Sequence, residues 1–111
     1  MLLRIEPLDN KIIISLLGEL DHHSAEEVRM RVDDALDRGK YKILIFNFDG
    51  VNFMDSSGIG TVIGRYKKMS ARGGSVCLTN LKPNVKRIFE ISGMYKIISV
   101  YEDVEEALRQ G

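Results

Sequence analysis

KILIFNF (residues 42–48) and FMDSSGIG (residues 53–60), close together near the middle of the chain, decide how the fold is read. The first is apolar at nearly every position, the pattern of a strand covered on both faces. The second sets Ser56 and Ser57 between Asp55 and the glycines Gly58 and Gly60. Behind it Ile59, Val62, Ile63, Tyr66 and Met69 recur at helical spacing, while Arg65, Lys67 and Lys68 avoid that stripe. The pair predicts a central strand that turns through FMDSSGIG into a helix from Ser57 to Met69.

Outward from this junction the chain alternates strand and helix. Residues 2–7 and 11–17 are β-favouring runs split by Leu8, Asp9 and Asn10, which predicts an antiparallel hairpin. SAEE follows GELDHH, so Ser24 and Glu27 are placed for a capping box, and Ala25, Val28, Val32, Ala35 and Leu36 make one helical face with Gly39 as its stop. Gly73 and Gly74 end the helix after the serines, and SVCLT (75–79) predicts a strand. Pro83 suits the first turn of a third helix that closes near Gly93. A short strand in YKIISV and a helix over EDVEEALRQ finish the pattern. The expectation is a single α/β domain over residues 1–111: a mixed, mostly parallel sheet of about five strands, an N-terminal hairpin, right-handed crossovers and about four helices.

Composition narrows the function classes. A chain of 111 residues buries roughly 65% of its unfolded surface, enough for one core. Sixteen basic residues balance sixteen acidic ones, leaving no field to attract nucleic acid or an anionic membrane. The one cysteine, Cys77, lies in the apolar run VCL, so no internal disulfide forms, in keeping with a reducing cytoplasm. MLLRIEPLDN meets charge at Arg4 and Glu6 before a signal-peptide core develops, and no apolar run reaches membrane-spanning length. A soluble cytoplasmic protein is expected.

Several chemistries use a serine loop of this kind, and each leaves its own pattern in the flanking residues. A nucleophile elbow needs a glycine two residues before its serine, but Met54 precedes Ser56 and Asp55 precedes Ser57 at that distance. A phosphate-binding loop of the Walker type needs lysine after its glycines, where Thr61 and Val62 stand. Gly58, Gly60 and Gly64 give G-x-G-x-x-x-G, which is not the dinucleotide fingerprint; Gly60 and Gly64 share a helical face and predict close approach of helix to sheet. His22, His23 and the scattered carboxylates form no metal-ligand spacing. The two histidines read either as a polar loop ahead of a helix or as a contact surface beside the serines. For Ser56 and Ser57 the structural role is capping, by a hydroxyl or by the Asp55 carboxylate. A hydroxyl exposed at a helix N-terminus is also where a phosphate is held by free amides and the helix dipole.

GELDHHSAE (18–26), FMDSSGIG with its continuation TVIGRYKK, and NVKRIFEISGMYKII (84–98) together resemble the anti-sigma factor antagonists of the STAS domain family, most of all those of the sporulation system of endospore-forming bacteria. The resemblance runs in order over essentially the whole chain. It implies a partner switch and no enzyme activity. The unphosphorylated antagonist binds an anti-sigma factor that is also a serine kinase, releasing the sporulation sigma factor F. Phosphorylation of the serine directly after the aspartate, here Ser56, inactivates it, and a metal-dependent serine phosphatase reverses the change. The antagonist carries no cofactor, since ATP and magnesium come with the kinase. The family's two motifs fall on Asp21 and on Asp55, Ser56, Ser57 and Gly58. The expected partner surface is the Asp21, His22, His23 loop together with Met54 through Gly60, with Met54 and Ile59 giving apolar contact, because loops at the carboxyl ends of parallel strands gather on one edge. The alternative is a stand-alone STAS module that binds a nucleotide or other small ligand.

Overall fold

The computed structural model describes residues 1–110 and contains one five-stranded sheet. Its strands are β1 (Leu2–Leu8), β2 (Lys11–Leu20), β3 (Ile43–Met54), β4 (Ser75–Thr79) and β5 (Ser99–Tyr101), in the spatial order β1-β2-β3-β4-β5. The β1–β2 hairpin is antiparallel and every later pairing is parallel. The helices are α1 (Ala25–Asp37), α2 (Ser56–Ala71), α3 (Pro83–Ser92) and α4 (Val104–Gln110), with a 3-10 turn over Met94–Lys96. The α/β class, the hairpin, the five strands and the four helices all agree with the sequence reading. None of the described helices is long and apolar enough to cross a membrane.

From β2 onward each crossover advances one strand in the same direction. Crossovers of one hand then stack their helices on one face, which is where α1, α2 and α3 lie. Ile12, Ile14 and Leu16 of β2, Leu44, Phe46 and Phe48 of β3, and Val76 and Leu78 of β4 meet Val28, Val32 and Leu36 of α1, Val62 and Met69 of α2, and Val85 and Phe89 of α3. Phe46, Phe48 and Phe89 join edge to face, with centroids 6.1 and 5.6 Å apart. Among the described residues the other face is covered by α4, where Ala107 closes a smaller cluster with Ile13, Ile45 and Cys77. Two-sided cover explains why KILIFNF hardly alternates. Burial pushes the Cys77 thiol up to about 11.

Several local expectations are corrected. β2 and β3 run on through Leu20 and Met54, beyond their apolar runs, because register shifts between Ser15 and Leu17 and between Gly18 and Glu19 absorb the change in pattern. At Gly50 a Cβ would come within 2.7 Å of the Leu16 carbonyl, so the bulged crossing requires glycine. Gly39 is no left-handed stop: α1 caps at Arg38 with φ −83°, and glycine at 39 makes room for the Tyr41 ring, 2.6 Å from where a Cβ would be. A 3-10 turn takes the start of YKIISV and delays β5 to Ser99. Pro83 and Gly93 keep their predicted roles, Gly93 ending α3 with φ 79°. Arg65 is buried, not solvent-facing, because α2 packs on α1 as well as on the sheet, and its Nε lies 3.0 Å from Asp33 Oδ1.

Candidate functional site

β2 and β3 are neighbouring parallel strands that end in register at Leu20↔Met54, so the two loops leaving them start side by side. The Asp55 N–H donates to the Leu20 carbonyl at 3.3 Å. The Asp55 carboxylate then does two things at once. Oδ1 accepts from the Ser57 N–H at 2.8 Å, capping α2, and Oδ2 accepts from the His22 N–H at 3.1 Å, tying the first loop to the second. Of the two caps left open by the sequence, the carboxylate is the one used. This leaves the Ser56 hydroxyl out of the capping bond, exposed on the first residue of the helix.

The first loop is built by Asp21 and Ser24. Asp21 Oδ1 accepts from the amides of Ser24 at 3.1 Å and His23 at 2.9 Å. Those bonds, the Ser24 amide foremost, hold its carboxyl below the usual carboxylate range. Ser24 stands at the N-cap of α1, yet its side chain makes no capping bond. Its hydroxyl instead donates to the Glu19 carbonyl at 2.7 Å and accepts from the Asp21 N–H at 3.1 Å, so the expected capping box with Glu27 does not form. His22 and His23 are exposed, with rings edge to face at 5.8 Å.

The glycines divide differently from expectation. A Cβ on Gly58 would fall 2.3 Å from Met54 Cγ and 3.2 Å from Leu20 Cδ2, so this glycine lets α2 settle onto the strand ends. At Gly60 and Gly64 a Cβ would meet nothing within 4 Å, so neither touches the sheet. Met54 is 1% exposed and lies under the loop, so it shapes the surface from below and offers no contact of its own. Ile59 is half-buried against the core, and Ser57 is half-buried. The structure thus brings together Asp21, His22, His23, Asp55, Ser56, Ser57, Ile59 and Gly60 at one edge, with Met54 and Gly58 beneath.

Two contributors escaped the sequence reading. Ser24 fastens the first loop, for which D-x-x-S was the available signal. Phe53 is 49% exposed because alternation buries its neighbour Met54, and it stands on the face opposite α1–α3. Beside the first loop a depression of about 400 Å³ is lined by Glu19, Asp21, Glu27, His23, Ser24 and Met1. Its three carboxylates oppose a nucleotide's phosphates. Among the described residues no group of three or more His, Cys, Asp or Glu side chains is placed to hold a metal ion.

The STAS domain family matches residues 3–107. The anti-sigma F factor antagonist of Paenibacillus polymyxa is 37% identical over 99 residues, covering 89% of this chain and 85% of that protein. The anti-sigma-B factor antagonist of Bacillus subtilis (strain 168) is 33% identical over 92 residues, covering 83% of each. Among solved structures, the anti-sigma factor antagonist SpoIIAA in its unphosphorylated form aligns at 34% identity with a TM-score of 0.85, over 98% of this chain and 95% of that one. The Bacillus cell fate determinant SpoIIAA in the phosphorylated form aligns at 34% identity with a TM-score of 0.76, over 98% of each chain. The chain belongs to the STAS domain family, and the two sequence relatives named above are anti-sigma factor antagonists.

Proposed function

We propose that this protein is an anti-sigma factor antagonist switched by phosphorylation of Ser56. Unphosphorylated, it binds a cytoplasmic anti-sigma factor that is also a serine kinase and so frees a sigma factor, taken to be the sporulation factor F. Phosphorylated, it lets go, until a metal-dependent serine phosphatase restores it. The observation that carries the proposal is the exposed Ser56 hydroxyl, released from capping by Asp55 and set beside the Asp21–His23 loop that the same carboxylate anchors. A relative of the same length solved in a phosphorylated form supports the reading, and the relative named for factor F favours that target.

The partner supplies ATP, magnesium and the catalytic base. The γ-phosphoryl group moves to Ser56 Oγ, the hydroxyl proton goes to the kinase's base, and ADP leaves. The phosphate adds about 1.5 to 2 negative charges. Burying that charge in an interface without a cationic partner costs several kcal/mol. A loss of about 3 kcal/mol already weakens binding more than a hundredfold. Asp55 already holds the Ser57 and Gly58 amides, so the phosphate stays on the exposed side of the α2 N-terminus near the positive end of its dipole, the block is local and the sheet keeps its shape.

Incubation with ATP and the purified anti-sigma F kinase, followed by mass spectrometry of the modified peptide, tests the reading. Phosphate on Ser56, absent from Ser56→Ala, is expected. Phosphate on Ser57 would move the site, and no uptake from this kinase alongside uptake from an anti-sigma-B kinase would move the target.

A further inference from the structure

β1 forms one edge of the sheet, and the hairpin dictates which of its backbone groups face outward. The turn Asp9–Asn10 closes on the pair Leu8↔Lys11, and a pair closing a two-residue turn exchanges both of its hydrogen bonds. Alternation then turns the amides and carbonyls of Leu2, Arg4, Glu6 and Leu8 toward β2, and those of Leu3, Ile5 and Pro7 away from it. Pro7, which has no N–H, falls in the outward set, as edge-strand prolines do. Side chains alternate as well. Leu3 and Ile5 pack on the core, while Leu2, Arg4, Glu6 and Leu8 share the opposite face, all exposed. Neither Arg4 nor Glu6 joins an ion pair among the described residues.

We infer that the outer edge of β1 pairs antiparallel with β1 of a second copy of this chain, about a two-fold axis at Ile5. In that register Ile5 faces Ile5, Leu3 faces Pro7, Arg4 faces Glu6 and Leu2 faces Leu8. The two Ile5 residues exchange both bonds, and each Leu3 N–H donates to a Pro7 carbonyl, so the proline removes only the reciprocal bonds. Both Arg4–Glu6 pairs join opposite charges. Leu2 and Leu8, 67% and 45% exposed in the single chain, cover each other. Centring the axis on Arg4 or on Glu6 would set like charges face to face, so the charges that protect this edge from indiscriminate pairing select one register. The Leu2 end of β1 lies beside Leu17 of β2, toward the Asp21–His23 loop. An antiparallel pair therefore presents its two loops at opposite ends of a continuous sheet, both open to partners. The inference is independent of the phosphorylation reading.

Sedimentation equilibrium of the full chain from about 1 µM to 1 mM tests it. A reversible monomer–dimer equilibrium is expected. Arg4→Glu and Glu6→Arg should each weaken the dimer on the order of tenfold or more, and the doubly exchanged variant should return to the wild-type constant. Circular dichroism checks that each variant folds. In the wild type, hydrogen exchange at the Leu3 and Ile5 amides should slow as concentration rises, a readout that needs no variant. A monomer mass throughout, a dimer indifferent to Arg4→Glu, or a double variant as weak as the single ones would each overturn the inference.

Discussion

Asp55 is the residue on which the junction turns. One carboxylate oxygen caps α2 and the other holds the His22 amide, so a single side chain frees Ser56 and positions the surface around it. Ser56→Ala should keep partner binding and lose sensitivity to the kinase, whereas Ser56→Asp should bind on the order of a hundredfold more weakly, as read by titration calorimetry with the anti-sigma factor. Gly58 makes a separate prediction about folding. Gly58→Ala forces its Cβ into the buried Met54 side chain and should cost about 1–3 kcal/mol in urea unfolding. Met54→Ala alone opens a cavity at a cost of about 2–5 kcal/mol. The double variant should lose clearly less than the sum of the two, because one change removes the clash that the other makes. Additive losses would mean that the two side chains do not meet.

Between elements, the α1–α2 contact is a polar seam in an apolar layer. Asp33 accepts Arg65 and Lys68, at 3.0 and 3.6 Å, and Asp37 accepts Lys68 and Arg72. Arg65 is the buried member; its Nε meets Asp33 as an ion pair outside good hydrogen-bond alignment, and its Nη1 has no hydrogen-bond partner among the described residues. Desolvation lowers the Arg65 guanidinium's pKa despite the neighbouring carboxylate. An ion pair placed this way stabilises little over an apolar replacement, but breaking it strands a charge. Asp33→Ala should therefore cost about 1–3 kcal/mol in chemical unfolding, more than Arg65→Met, which should be near neutral. The reverse order would show that the seam works through the arginine's packing. Arg65 breaks the apolar stripe of α2 because the stripe marks only the side that faces the sheet, while Arg65 faces α1.

Across the molecule, sheet order determines what is covered. Three crossovers in one direction put α1–α3 on one face and leave the seven residues of α4 to protect Ile13, Ile45 and Cys77 on the other. Cys77 reports on that thin cover. Its ordinary value of 9.0 rises to about 11 on folding, so the folded chain holds the proton to higher pH than the unfolded chain. The resulting stabilisation, about 2–3 kcal/mol, is complete below pH 9 and is lost as pH rises from about 9 to about 11. Unfolding free energies measured across that window should fall more steeply for the wild type than for Cys77→Ala. Parallel declines would mean that α4 opens to admit water.

Strand, hairpin and helix identities were legible along the chain because they depend on neighbours a few residues apart. KILIFNF had to be buried twice over, Pro83 and Gly93 had to bound α3, and the D-S-S-G run had to begin a helix. The loops that meet were partly legible, since consecutive parallel strands end on the same edge. What each side chain does there was not. Met54 and Gly58 lie beneath the surface, Ser24 serves the loop in place of the helix cap, Gly39 makes room for a ring, and Arg65 is buried, each through contacts with distant residues of the chain. Periodicity records that a position faces something, whereas only the packed chain decides which partner, at what distance, and whether a hydroxyl such as that of Ser56 is left facing solvent.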